Sequence, residues 1–167
     1  MALRVTTAVG SDPERATQAA LWRMQERYPL DPYLFTGTIH IEAGAVPHSH
    51  PVLTLHTRYR DDPERLLALF LHEQMHWAVR MEEGLYQRLL DLVPGLPVEP
   101  PDGAGTKRST YLHLLVCAGE HRALAQLLGP ATADTVIRRV AEERYRAVYA
   151  AVLDRGEEIL SESAEPA

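Results

Sequence analysis

Hydrophobic positions along the chain follow two regimes. As far as about residue 57 they come in short, β-branched or alternating runs, and beyond Asp61 they recur at helical spacing. LRVTTAV, residues 3–9, suits a strand. SDPER then offers Ser11 as a cap with Pro13 in the first turn of a helix to about Tyr28, where Pro29 and Pro32 stop it. YLFTGTIHIE, 33–42, and PVLTLHT, 51–57, read as a second and a third strand. The connection EAGAVPHSHP, with a Gly and two Pro, reads as a loop between antiparallel strands.

At Asp61 the segment DDPER repeats the start signal, with Asp61 or Asp62 as cap, Pro63 in the first turn and Glu64 near the positive helix end. The helix it opens is expected to reach about Met81. A shorter helix follows over 83–93, then PGLPVEPPDGAGTK, a loop of fourteen residues, long enough to be either functional or mobile. Ser109 is positioned to cap a helix from 110 to about Leu128, closed by Gly129 and Pro130. A last helix, about 132–154, carries Val136, Ile137, Val140, Val148 and Val152. Strands early and helices late give an α+β class, as one domain over 1–154 with a polar, fraying tail over 155–167. No internal repeat is visible.

Composition narrows the function. A hydrophobic share of 46%, a charged share of 24% and a length of 167 residues suit a soluble domain with its own core. The net charge of -6, with basic residues scattered, argues against a nucleic-acid partner. The single Cys117 calls for no oxidising compartment, and neither a leader peptide nor a membrane span is recognisable, so a cytoplasmic location is expected.

The candidate chemistry lies in LFLHEQMHW, Leu69–Trp77. A helix turns about 100 degrees per residue, so His72 and His76, four apart, point the same way. Two such imidazoles can each place a nitrogen about 2 Å from one Zn²⁺. Glu73, one step round the helix, suits a base that takes a proton from water held at the metal. The competing reading is a solvated stripe, because Arg65, His72, Glu73, His76 and Arg80 share one side. The metal reading gains from the apolar remainder of the helix, which implies burial, and a buried His-Glu-His cluster needs compensation. The preceding LTLHT also supplies a strand edge on which an extended peptide could pair.

A third ligand is sought in YLHLLVCAGEHRAL, where His113, Cys117 and Glu120 fall on one helix face with His121 one step aside. Glu120 is preferred over His113 or His121, giving two histidines and a carboxylate, and His113 is left for a second-shell or transition-state role. Cys117 reads as a small core residue, with a thiol nucleophile as the rival. His48, His50 and His56 read as surface histidines, with a second metal site as the rival. Tyr145 and Tyr149 are core candidates, either able to donate to an oxyanion if the last helix covers the site, and Arg139 or Arg146 could hold a substrate carboxylate.

His72-Glu73-Gln74-Met75-His76 on a helix preceded by an edge strand resembles the zincin superfamily of metallopeptidases, and a downstream Glu120 resembles its gluzincin branch. The resemblance implies a small mixed or antiparallel sheet packed on an active-site helix, one catalytic zinc held by His72, His76 and Glu120, and Glu73 as base. It further implies peptide or protein cleavage; with the peptide along the strand 51–57 and its carbonyl at the zinc, His113 or Tyr149 is expected to stabilise the oxyanion. Gly119 stands before Glu120 where many gluzincins have an Asn-Glu pattern, and no HxxGxxH extension follows His76. The alternative is a zincin-like fold serving as a non-catalytic metal-binding or protein-interaction module.

Overall fold

β1 (Arg4–Thr7) is short because Ser11 and Pro13 start a helix almost at once. The structure, a computed structural model, describes residues 3–163. Within them the domain expected over 1–154 divides into two compact units, one ending at Ala78 and the other beginning at Val79. In the first unit α1 (Asp12–Arg27) stops at Tyr28, one residue before Pro29. A single 3-10 turn over Asp31–Tyr33 then leads to β2 (Thr38–Ile41) and β3 (Leu53–Leu55). The expected second strand over 33–42 is thus trimmed, its first residues taken by that turn. α2 (Pro63–Ala78) begins at Asp62, whose Oδ1 accepts from the Arg65 N–H at 3.1 Å, and it ends three residues short of Met81.

The sheet order is β1-β2-β3, and both pairings are parallel. This corrects the antiparallel reading of the sheet. α1 is the crossover between β1 and β2, and residues 42–52 carry the chain back between β2 and β3 without a helix. A hairpin loop is typically about 2–5 residues, whereas a return to a parallel neighbour needs about a dozen. The length of EAGAVPHSHP therefore spoke for a crossover, while its Gly and Pro content suggested a turn.

Glu14 ties these pieces together. It is 1% exposed, and its carboxylate accepts from the backbone N–H groups of Ser11 (2.9 Å), Val9 (3.2 Å) and Ala43 (3.2 Å). One side chain thus fixes the start of α1, the turn after β1 and the turn after β2. The Ser11 amide above all, opposed by burial and helped by the Ala43 and Val9 amides, pulls its carboxyl from 4.5 down to about 2.

The second unit is helical: α3 (Glu83–Leu92), α4 (Lys107–Leu128), α5 (Pro130–Ala141) and α6 (Arg146–Ser163). α4 starts earlier than Ser109 suggested, because the Thr106 side chain accepts from the Ser109 N–H at 3.1 Å. Gly129, with φ of 87° and ψ of 152°, turns α4 into α5 through a conformation that a side chain would strain. The expected single last helix is two, α5 and α6, broken at Tyr145, the one described non-glycine residue with positive φ, at 51°. The valine stripe survives the break: Val136, Ile137 and Val140 are buried on α5 and Val148 and Val152 on α6.

α6 also takes in residues 155–163, part of the expected fraying tail, bending at Arg155 and buried again at Ile159; residues 164–167 of that tail lie outside the described residues. The long loop before α4 is tied down, since Pro101 and Asp102 carbonyls accept from the Arg146 and Ala147 N–H groups at 3.0 and 3.2 Å. A side chain at Gly103 would place its Cβ 2.3 Å from the Pro97 oxygen, so only glycine fits there. Among the described residues no helix is long and apolar enough to cross a membrane.

Glu14→Gln should destabilise the protein at neutral pH. The folded carboxyl titrates near 2 and the ordinary one at 4.5, so Glu14 stabilises above 4.5 and loses that effect as pH falls toward 2. Urea midpoints of wild type and variant should therefore differ at pH 7 and converge between pH 4.5 and 2.

Candidate functional site

On α2, Leu66 through Met75 are all buried, including His72 (1% exposed), Glu73 (4%) and Gln74 (0%). The solvated-stripe reading therefore fails for the histidine and the glutamate at its centre. α2 packs against α1, β3 and the 3-10 turn, and Leu66, Leu67, Leu69, Phe70 and Leu71 surround its polar residues with apolar contacts. Each fully buried Leu or Phe contributes about 1.5–3 kcal/mol, which is what holds the polar residues inside. The His72 and His76 rings lie side by side, with centroids 5.1 Å apart and planes at 72°. His76 is half-buried, near the open end of the helix.

Gln74 went unmarked in the sequence as a functional residue, yet it sets the rotation of α2. Its Oε1 accepts from the Phe35 and Thr36 N–H groups at 2.8 and 3.0 Å, and its Nε2 donates to the Thr36 carbonyl at 2.9 Å. Three bonds from one amide to a neighbouring loop prevent the helix from turning His72 outward. An amide inside a buried helix was the signal available, because such a group must find partners.

The edge expected to receive a peptide is occupied. His48 forms an antiparallel bridge with Thr54, its N–H donating to the Thr54 carbonyl (3.2 Å) and its carbonyl accepting from the Thr54 N–H (2.8 Å). The same loop is pinned to α2: Trp77 Nε1 donates to the Ser49 carbonyl at 3.0 Å, and the His50 ring stacks on the Trp77 indole at 4.1 Å. His56, by contrast, is buried edge-on to Tyr59 at 4.8 Å. These three histidines are committed to different neighbours, and no metal-ligating group among the described residues contains them.

In the second unit, α4 carries His113, Cys117 and Glu120, all buried, and it packs against α5 and α6. Tyr149 on α6 donates its hydroxyl to Glu120 Oε2 at 2.8 Å, with both residues 0% exposed. Its hydrogen is therefore directed at the carboxylate, and it orients Glu120. Burial first, and then the nearby Cys117 and Glu120, push the Tyr149 hydroxyl well above its ordinary range, so it stays a donor.

His113 Nδ1 lies 2.8 Å from the Ser109 carbonyl, which can only accept, so Nδ1 carries the hydrogen. Burial lowers the His113 pKa, Arg144 adds to the lowering and the Ser109 bond opposes it. A neutral ring with its hydrogen on Nδ1 has a lone pair on Nε2, which suits a proton acceptor or ligand. Tyr145, set in its left-handed conformation, holds its ring 4.3 Å from the His113 ring.

His121 Nε2 meets Asp134 Oδ1 at 2.7 Å, which draws it toward α5 and away from the His113–Glu120 face. Cys117 is fully enclosed, and burial first and Glu120 second raise its thiol well above the ordinary value, so it is no thiolate nucleophile. Arg146 is mostly exposed and 3.8 Å from Asp102.

No protein-family model, curated protein or solved structure gives a significant match to this chain. The site is therefore argued from its residues alone.

Removing the Tyr149 hydroxyl takes away a buried bond to the Glu120 carboxylate. Tyr149→Phe should lower unfolding stability by about 1–3 kcal/mol, read from denaturant midpoints. Cys117 should resist a thiol reagent in the native protein and react stoichiometrically once it is unfolded.

Proposed function

We propose that the protein is a zinc-dependent hydrolase of amide bonds, a small metallopeptidase of zincin type, with His72, His76 and Glu120 as metal ligands and Glu73 as base. The observation that carries this reading is the burial of His72 and Glu73 on one apolar helix, with the His76 ring beside that of His72. Two neutral imidazoles and a carboxylate are the donor set of a catalytic zinc that keeps a position open. Glu120 fits the part of third ligand because its carboxylate, enclosed at 0% exposure, accepts the Tyr149 hydroxyl on Oε2, a bond that orients it. Zinc bound there would supply Lewis acidity, polarising a carbonyl and making water more acidic.

The chain's own residues do the remaining work. Glu73, 4% exposed, is the base that accepts the proton of the attacking water. His113 serves as a proton acceptor through Nε2. Tyr149 keeps Glu120 aimed through the bond from its hydroxyl to Oε2. The substrate is a peptide or a smaller amide. A reducing, cytoplasmic setting suits a chain whose one cysteine is a buried thiol.

Purified protein should contain one zinc per chain by elemental analysis. Glu73→Gln should keep the metal while lowering kcat by about 10²- to 10⁴-fold on peptide amides. His76→Ala should lose the metal. A chelator should lower the melting temperature of the wild type and leave that of His76→Ala unchanged, because a ligand bound only by the folded state stabilises it. Wild-type protein without stoichiometric metal would overturn the reading.

A further inference from the structure

We propose that residues 46–50 form a built-in strap that reserves the β3 edge against extended polypeptides, so that the hydrolase acts on short amides and not on strand-paired peptides. The chemistry rests on the reading above; the selectivity rests on the sheet.

A peptide bound at a sheet edge draws its affinity from main-chain hydrogen bonds. In β3 the main-chain groups of Leu53 and Leu55 face β2, as the parallel register and the bond from the Glu42 N–H to the Leu55 carbonyl require. Thr54 is the residue of β3 whose N–H and C=O both face outward, and His48 takes both, at 2.8 and 3.2 Å. The Val52 carbonyl accepts the Thr54 hydroxyl at 3.0 Å. The bridge is antiparallel, so the strap already lies as an antiparallel peptide would lie.

The strap is also anchored outside the sheet. Trp77 holds it by the bond to the Ser49 carbonyl and by the stack on His50. Within the strap, His48 Nδ1 donates to the Val46 carbonyl at 2.9 Å. Its outer side faces solvent, with Val46 82% exposed and His48 and His50 exposed. An incoming extended peptide would therefore exchange two existing main-chain bonds for two new ones, lose the Trp77 contacts, and pay for the ordering of its own backbone. A short amide that needs no strand pairing meets none of this opposition. Trp77 follows His76 directly, so the strap is fastened to the same helix that carries the motif.

The test compares wild type with His48→Pro, which removes the N–H that donates to Thr54, and Trp77→Ala, which removes both anchors. Hydrogen exchange at the Thr54 amide, hydrolysis of blocked dipeptide amides and of octapeptides, and binding of a fluorescein-labelled octapeptide are measured on zinc-loaded protein. In wild type the Thr54 amide should be protected, and kcat/KM should favour dipeptide amides. In each variant that folds, protection should fall and octapeptide kcat/KM should rise by about tenfold with the dipeptide value unchanged. Octapeptides cleaved as well as dipeptide amides by a wild type whose Thr54 stays protected would overturn the proposal, as would variants that expose Thr54 and keep the same length preference. If no chain hydrolyses anything, the hydrolase reading fails on its own. The strap is then judged by binding: labelled octapeptide held about tenfold more tightly by the variants supports it, and equal binding overturns it.

Discussion

A helix that is apolar almost all round cannot carry polar side chains inside without giving each a partner, and α2 carries three in succession: His72, Glu73 and Gln74. Burial of a hydroxyl or amide without compensation costs roughly 2–7 kcal/mol, and of a charge considerably more. Gln74 meets the constraint with three bonds to Phe35 and Thr36. Because it does so from the same turn as the histidines, it also fixes their azimuth. The requirement that satisfies one residue therefore positions its neighbours, and the proposed chemistry depends on that rotation being held.

The second unit meets the same constraint differently. Glu120 is enclosed on α4 and accepts from Tyr149 across the α4–α6 packing. Val148 and Val152, one residue before and three after Tyr149, are buried with it and place the hydroxyl. The kink at Arg155 lets the helix bury Ile159 beyond it. A donor fixed by packing on both sides loses little entropy when it bonds, so the carboxylate is oriented before any ligand arrives. The neutral state of His113 follows from the same enclosure, with Arg144 opposing a second positive charge nearby.

Local signals in the sequence were readable where they act within one turn of chain. Ser11 and Pro13 start α1, Asp62 and Pro63 start α2, and Gly129 with Pro130 closes α4, each within a residue of where the pattern put it, whereas the next helix begins at Pro130 and not at about Thr132. What could not be read locally was decided by tertiary partners. Thr106 outcompetes Ser109 as cap because Thr110 turns back to bond Ala104, which fixes the preceding loop. The break at Tyr145 has no glycine or proline to mark it, and it arises where the Pro101 and Asp102 carbonyls receive the first N–H groups of α6. The parallel register of β3 hid behind turn-like residues whose number, and not whose type, held the information. Of the candidate site, the residue types and their spacing on α2 and α4 were legible. The direction of the Tyr149 hydroxyl and the tautomer of His113 were not, since both depend on a partner in space.

The occupied edge of β3 connects these two levels of description. An exposed strand edge invites pairing with any extended chain, and proteins usually blunt it with charge, proline or a covering segment. Here the covering segment is the crossover itself, and its length is what the parallel register demands. The same eleven residues, 42–52, that set the topology of the sheet thus also close it, and Trp77 transfers that closure to the helix bearing His72 and His76. Under the proposed hydrolase activity, selection among substrates would need no additional domain, because the segment that orders the strands also covers the edge beside which a chain would lie.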